Sequence, residues 1–475
     1  MSAPHSDPKI VGEGDVGDYR DHISTVDERG KRIWIYPKKP VGRFYNARSI
    51  VSWLLLAFMF GGPFLKIGGH PLLLLDFLGR RFYIFGVAYW PQDLYLFGLT
   101  LITFIVFLIL FTAVFGRIFC GWACPQTIFM EMVFRKIEYI IEGDARSQKK
   151  LNESPWTGKK IFKKSLKVII FYSLSWIIGN VLLAYIIGTD KLFDIITSSP
   201  SDHFGGFMAM VIFSFLFFGT YLWFREQVCT LVCPYGRLQG VLLDQNSIVV
   251  HYDFLRGDPR GKGKRKEGSN LGDCIDCNLC VEVCPTGIDI RNGTQLECVN
   301  CTACMDACDS IMTKIDKPKG LVRYSSHNGI VDKNSKIMNW RIAGYSIILT
   351  LLISLMVFLI STRIPIETTI LRTPGMLYQE INDNYIRNLY NIKVVNKTYH
   401  DKSIRLEVSE PKNVILTLVS DLIIPSDDLG QSVFFVDIPR DQLRIQKNKV
   451  KIDVYSGDEL LESVETSFIA PTSRE

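Results

Sequence analysis

The chain has 475 residues, 54 lysines and arginines against 48 aspartates and glutamates for a net charge of +6, and 48% hydrophobic residues including 30 phenylalanines. This composition excludes a disordered or collagen-like chain, and the length exceeds one ordinary domain. The apolar residues are gathered into long runs such as Leu96 to Phe115, which passes without a charge and reads as membrane-spanning.

In chain order, residues 1–48 form a polar tail of mixed charge, only partly ordered, with no compact apolar stretch of the kind a cleaved signal peptide needs. Residues 49–224 hold four spans: Ser49 to Leu65, Leu94 to Gly116, Val168 to Gly188, and Phe207 to Phe224. Gly61, Gly62 and Pro63 interrupt the first. Pro71 to Ala88 is apolar but cut by Asp76, Arg80 and Arg81, which places it in a connecting loop or at the interface. The loop 117–167 is basic, with Lys159, Lys160, Lys163, Lys164 and Lys167 crowding the membrane entry. Contact with a span favours an anionic-lipid face or a topology signal over nucleic acid, and no nucleic-acid partner is expected. A polar stretch, 225–340, carries eight cysteines; a fifth span, Ile342 to Ser361, lies within 341–362. Residues 363–475 read as strands at Leu389 to Val395, Ser403 to Val408, Val414 to Val419, Ser432 to Asp437, Val450 to Val454 and Leu461 to Phe468, an all-β, immunoglobulin-like sandwich without a cysteine.

Charge orients the spans. Lysine plus arginine number nine before the first, three between the first and second, eleven between the second and third, one between the third and fourth, and fifteen over 225–340. That alternation is the positive-inside bias of a chain that starts in the cytoplasm, crosses five times and leaves its C-terminal domain outside.

The twelve cysteines fall as two groups of four and two pairs. Cys274, Cys277, Cys280 and Cys284, followed by Pro285, spell C-x2-C-x2-C-x3-C-P; Cys298, Cys301, Cys304 and Cys308 repeat the spacing with Asp309 where proline would stand. Three thiolates at such intervals wrap one face of a cube and the fourth comes from the other phrase. Two [4Fe–4S] clusters are therefore expected, one on Cys274, Cys277, Cys280 and Cys308 and the other on Cys298, Cys301, Cys304 and Cys284. A pair of zinc knots is the alternative, but zinc does not call for this phrase twice.

The pairs are Cys120/Cys124 before Pro125 and Cys229/Cys233 before Pro234, each C-x3-C-P at the inner end of a span, with Arg117 and Arg225 a few residues ahead. If the helix runs through each pair, its two sulfurs share one face and proline ends the helix behind them. Two such ends side by side would offer four thiolates to one soft ion, Cu(I) in preference to hard cations; zinc would leave the adjacent electron carriers without use. Packed small hydrophobes are the plain alternative for lone cysteines, and a permanent disulfide is disfavoured in a reducing compartment. None of the seven histidines lies in a span, which argues against a membrane haem held by histidines. His203 with Met208 and Met210 could mark a copper entrance, though packing explains them as well.

These five spans, the paired C-x3-C-P helix ends, the doubled ferredoxin phrase and the β-rich tail resemble the cytochrome c oxidase accessory proteins called CcoG, FixG or RdxA, over nearly the whole chain. A wider group, the polyferredoxin-type quinol dehydrogenases, shares the C-x3-C-P pairs but not the C-terminal domain. The resemblance implies a multi-pass protein of the bacterial inner membrane, its immunoglobulin-like domain periplasmic. It implies a cupric reductase that supports assembly of a cbb-type oxidase together with copper transport and chaperone proteins. Cys120, Cys124, Cys229 and Cys233 would bind and reduce copper, fed by an unknown cytoplasmic donor. An electron-transfer subunit drawing on quinol, or a non-catalytic assembly scaffold, are the other readings, and a homo-oligomer is left open.

Overall fold

The computed structural model describes residues 25–26, 29, 31–67, 70–77, 81–84, 87–261, 271–332, 339–375, 377–381, 384–398, 400–426, 428–443 and 446–471. Two compact units emerge. One comprises Met1–Ile67, Pro71–Phe85 and Pro91–Met356; the other comprises Gly68–His70, Gly86–Trp90 and Val357–Glu475.

Five helices are long and apolar enough to cross a membrane: Arg43–Phe64, Leu94–Phe115, Gly158–Ile187, Phe204–Phe224 and Trp340–Ser361. All five expected spans are among them, with different ends. In the first, the α-helix stops at Gly61 and Gly62–Phe64 tightens into a 3-10 turn, as the Gly-Gly-Pro run dictates. The third begins ten residues early, so the five lysines ascribed to a loop lie on its opening turns. They are not simply a free basic face: Lys164 pairs with Glu142 at 3.0 Å, Lys167 with Glu142 at 2.9 Å and Glu138 at 3.3 Å, and Lys160 Nζ donates to the Asn152 carbonyl at 2.8 Å. Loop 117–167 itself is largely helical, because Glu138 and Glu142 supply the charge partners that let it fold onto the third span. Pro71 to Ala88 is also not plain loop: Leu73–Asp76 and Arg81–Ile84 pair as antiparallel strands.

Within this unit the segment after Cys124 turns into the membrane core. Ile128, Phe129, Met130 and Phe134 are buried with Leu56 of the first span, Phe171 and Ile178 of the third and Tyr221 of the fourth. The Phe134 and Tyr221 rings stack at 4.5 Å. This plug packs the segment behind Cys124 against the first, third and fourth spans.

The eight-cysteine region pairs strand Val249–Tyr252 with Val322–Ser325 and carries two helices, Leu279–Glu282 and Ala303–Lys314. It docks on the first span by capping it. The Asp306 carboxylate accepts from Phe44 N at 3.1 Å and Tyr45 N at 2.8 Å, satisfying two of the span's free amide donors. A Cβ at Gly42 would sit 2.2 Å from Asp306 Cγ, so the N-cap position must be glycine for the carboxylate to reach. Asp306→Ala is expected to lower stability by ~1 kcal/mol, read as a lower Tm of the full chain in detergent.

The second unit has two sheets built from β1 (Ile366–Arg372), β2 (Gln379–Ile381), β3 (Tyr385–Asn396), β4 (Lys402–Glu410), β5 (Ile415–Leu418), β6 (Leu422–Ile424), β7 (Leu429–Pro439), β8 (Lys447–Ser456) and β9 (Glu459–Ile469). One sheet runs β5-β7-β3-β1 with β2 beside β3, the other β6-β4-β8-β9. Alternate residues turn inward: Tyr390, Ile392 and Val394 of β3, Phe434, Val436 and Ile438 of β7, and Val450, Ile452 and Val454 of β8 form a fully buried core. In place of an inter-sheet disulfide, Tyr390 Oη donates to the Ser467 carbonyl at 3.0 Å and Asn388 Nδ2 to the Ile469 carbonyl at 2.8 Å. The six expected strands are all present; β1, β2 and β6 were not expected, being short, polar or adjacent to proline.

Candidate iron–sulfur and thiol sites

Two cavities occupy the eight-cysteine region. Cys274, Cys277, Cys280 and Cys308 line one, with Tyr252, Leu279, Met312 and Leu321. Cys284, Cys298, Cys301 and Cys304 line the other, with Val250, Ile288, Ile290 and Val299. The crossed assignment drawn from spacing is thus the grouping the fold produces, and Cys280 belongs to the wall of both. The backbone repeats as well: Asp276 and Asn278 have φ of 52° and 58°, and their counterparts Asn300 and Thr302 have 54° and 65°. These left-handed residues curl each C-x2-C-x2-C phrase around its cavity; such turns aim backbone N–H groups at an anion.

The residues fit a polynuclear group. Among the described residues no three His, Cys, Asp or Glu side chains gather closely enough to hold a single ion, while each set of four thiols surrounds an apolar void. Burial pushes the thiols of Cys280, Cys298 and Cys308 up to about 12, so iron must supply the charge that holds them as thiolates. Cys277 is exposed, which places the first cavity at the surface.

The C-x3-C-P pairs form a second structural repeat. Gly116 and Arg225 each stand four residues before the first cysteine, with nearly identical backbone, φ 55° and ψ −129° against φ 52° and ψ −121°. For arginine this conformation costs about 1–3 kcal/mol; Arg225 is held there by a buried ion pair with Glu138. The expectation that the span's helix runs on through the pair is corrected. The span breaks at Gly116 or Arg225, a short turn carries the first cysteine, and the second is extended, φ −62° at Cys124 and −70° at Cys233. Pro125 and Pro234 then open a new helix at its first position, where the missing N–H costs nothing. Cys124 N donates to the Phe119 carbonyl at 2.9 Å and Cys233 N to the Val228 carbonyl at 2.8 Å, the same bond in both units.

The two units interlock. Tyr221, eight residues before Cys229, donates to Gln126, two residues after Cys124, at 2.8 Å; Thr112, eight before Cys120, shares a 2.7 Å bond with Tyr235, two after Cys233. Cys120 Sγ donates to Gln239 Oε1 at 3.2 Å, and the Thr127 hydroxyl is bonded to Cys229, so each first cysteine is held by the other unit's helix. The two pairs are thus neighbours across the crossed hydrogen bonds, although no three of their thiols, as they stand, gather closely enough to hold one ion. Burial foremost, and the neighbouring thiols after it, push Cys120 up to about 11 and Cys229 up to about 12.

The first pair abuts the second cavity. Cys120 packs against the buried cluster that Val283, Val299, Cys301, Ala303 and Ala307 form. A Cβ at Gly121 would lie 2.5 Å from the Val299 carbonyl oxygen and 2.7 Å from that of Asn300, so only glycine permits the approach. Arg48 Nε donates to the Gly121 carbonyl at 2.6 Å, and Trp122 Nε1 donates to Tyr324 Oη at 3.0 Å, which donates to the Asn300 carbonyl at 3.3 Å. Spacing had marked the cysteines and Arg117; Gly121, Thr127, Gln239 and the crossed hydrogen bonds were missed. Aligning the two C-x3-C-P units would have shown polar residues at matched offsets, though not their partners.

His203 lies just before the fourth span, Met208 is exposed and Met210 buried. Of the described histidines none lies in a span.

Three family descriptions match the chain: a 4Fe-4S dicluster domain over residues 224–327, a 4Fe-4S binding domain over 97–146, and the IG-like fold at the C-terminal of FixG, described there as a candidate oxidoreductase, over 356–471. Protein RdxA of Cereibacter sphaeroides is 34% identical over 79% of this chain and 82% of its own. Protein RdxB of the same organism is 33% identical over 82% and 84%, and nitrogen fixation protein FixG of Rhizobium meliloti is 31% identical over 80% and 79%. With the paired cavities, the five apolar helices and the two-sheet C-terminal domain, these likenesses lead to one conclusion: the chain belongs to the FixG/RdxA family of membrane iron–sulfur proteins.

Proposed function

We propose that this protein reduces Cu(II) to Cu(I) at Cys120, Cys124, Cys229 and Cys233, as part of copper supply to a cbb-type cytochrome c oxidase. The observation that carries this reading is the packing of Cys120 against the buried cluster that includes Cys301. When bound, the two [4Fe–4S] clusters supply one-electron carriers. The chain's own residues do the rest. Exposed Cys277 marks the face where a cytoplasmic donor would approach, and Cys280 forms the wall common to both cavities. Gly121 removes the bulk that would push the turn carrying Cys120 off the Val299–Asn300 backbone. The thiols take Cu(II) as substrate and favour Cu(I), since soft thiolates stabilise the reduced ion. A donor ~300 mV below the copper couple would drive the one-electron step by about five decades.

On this reading the protein sits in a bacterial inner membrane with residues 225–340 cytoplasmic and 363–475 periplasmic, which the charge alternation supports. Copper transporters, chaperones and oxidase subunits are the partners it requires.

The raised thiols give the reading a sign. Burial holds the protons on Cys120 and Cys229, so an ion that binds both as thiolates must displace at least two. The apparent affinity for Cu(I) is expected to rise at least about a hundredfold per pH unit from pH 6 to 8, measured by chelator competition. Adding a reduced quinol analogue to the anaerobic oxidised protein tests the donor. Rapid bleaching of the cluster absorbance would replace the cytoplasmic donor with a membrane one and make the protein a quinol-fed electron-transfer subunit.

A further inference from the structure

Arg117 occupies the wall between the two kinds of site. It is buried, and its two terminal nitrogens donate to the carbonyls of Gly236, behind Cys233, and of Leu296, ahead of Cys298. Its charge reaches the thiols of both Cys120 and Cys298. Its Nε, also buried, has no protein partner. The other cation near the second cavity, Arg48, acts on Cys301, with Glu131 opposing it. Thus one side chain, tied to the backbone of both sites, carries a positive charge that each of them senses.

We propose that Arg117 is a positioning residue that sets the potential of the second iron–sulfur site: its fixed charge stabilises the reduced state of that site. Reduction adds one negative charge there. A buried guanidinium nearby favours that change, and its hydrogen bonds to the Leu296 and Gly236 carbonyls prevent it from swinging away. A unit charge about 10 Å from a redox centre, at an effective dielectric constant of about 20, shifts a reduction equilibrium by roughly tenfold. For a one-electron couple that is ~59 mV. Arg117 lines neither cavity, but its hydrogen bond to the Leu296 carbonyl fixes it two residues from Cys298 of the second, whereas Arg291 is the cation lining the first, so the first potential should not respond measurably.

The test compares wild type with Arg117→Gln, Arg117→Met and Arg117→Lys, each full length in detergent, copper-free and of equal iron content. Potentials are read by EPR-monitored redox titration, with the second-site signal identified by its loss in Cys298→Ala. Both neutral variants should lower the second-site reduction equilibrium about tenfold and leave the first unchanged, while lysine, which keeps the charge, should shift it by less than half as much on the logarithmic scale. Unchanged potentials in the neutral variants, equal shifts in all three, or loss of iron from both neutral variants would assign Arg117 a purely structural role and overturn the proposal.

Discussion

Serine at Cys120, Cys124, Cys229 and Cys233 together is expected to reduce bound copper to background and abolish Cu(II) reduction, with iron content and cluster absorbance unchanged. A serine hydroxyl is a hard, neutral donor at physiological pH and does not replace a soft thiolate. The eight cysteines of the two cavities are a separate set, so the iron should stay. The double variant Cys120→Ser with Cys124→Ser is sharper. Gln239 and Thr127 hold each first cysteine from the opposite unit, and on the proposed reading the two pairs close on one ion. Removing one pair should then cost all the copper, whereas two independent pairs would retain half. Copper and iron measured by mass spectrometry on the same samples distinguish these results.

Gly121→Ala is expected to separate the sites without emptying them. The added methyl meets two backbone carbonyl oxygens at 2.5 and 2.7 Å, and backbone cannot rotate away as a side chain can. Overpacking of this kind costs about 1–3 kcal/mol, and the short turn Ile118–Trp122 would relieve it by moving off the Val299–Asn300 backbone. Cu(I) binding and iron content should persist, while oxidation of reduced clusters by copper, followed by stopped-flow absorbance, slows by at least an order of magnitude. Gly205→Ala is the matched control, since a Cβ there meets nothing within 4 Å, and its rate should equal wild type. Equal rates in both variants would mean that the contact at Gly121 does not carry the transfer.

Which cysteines gather at each cavity was legible in the sequence, because the grouping is written as spacing. Cys284 and Cys308 exchange cavities as the doubled phrase implies, and the apolar runs mark the spans because no other burial suits so many uncharged residues in sequence. What the sequence did not show depends on partners far away along the chain. The lysines from Lys159 to Lys167 look like a loop until Glu138 and Glu142 are brought beside them. The break at Arg225 carries no glycine to announce it; its partner Glu138 becomes visible only in three dimensions. Proline after each C-x3-C suggested a helix end, yet proline suits a helix start equally, and only the backbone at Cys124 and Cys233 decides between them. In the C-terminal domain β1 was overlooked because its inward row, Ile366, Thr368 and Ile370, is broken by a threonine.

The decisive measurement is a single turnover. Anaerobic protein with both clusters pre-reduced and excess reductant removed is mixed with one equivalent of Cu(II), and cluster absorbance is followed together with the Cu(II) EPR signal. Wild type should lose the Cu(II) signal and regain one electron's worth of oxidised-cluster absorbance at the same rate, and the variant with serine at all four membrane-end positions should do neither. Persistence of the Cu(II) signal beside reduced clusters in wild type, or equal rates in the two proteins, would contradict copper reduction at the four membrane-end thiols.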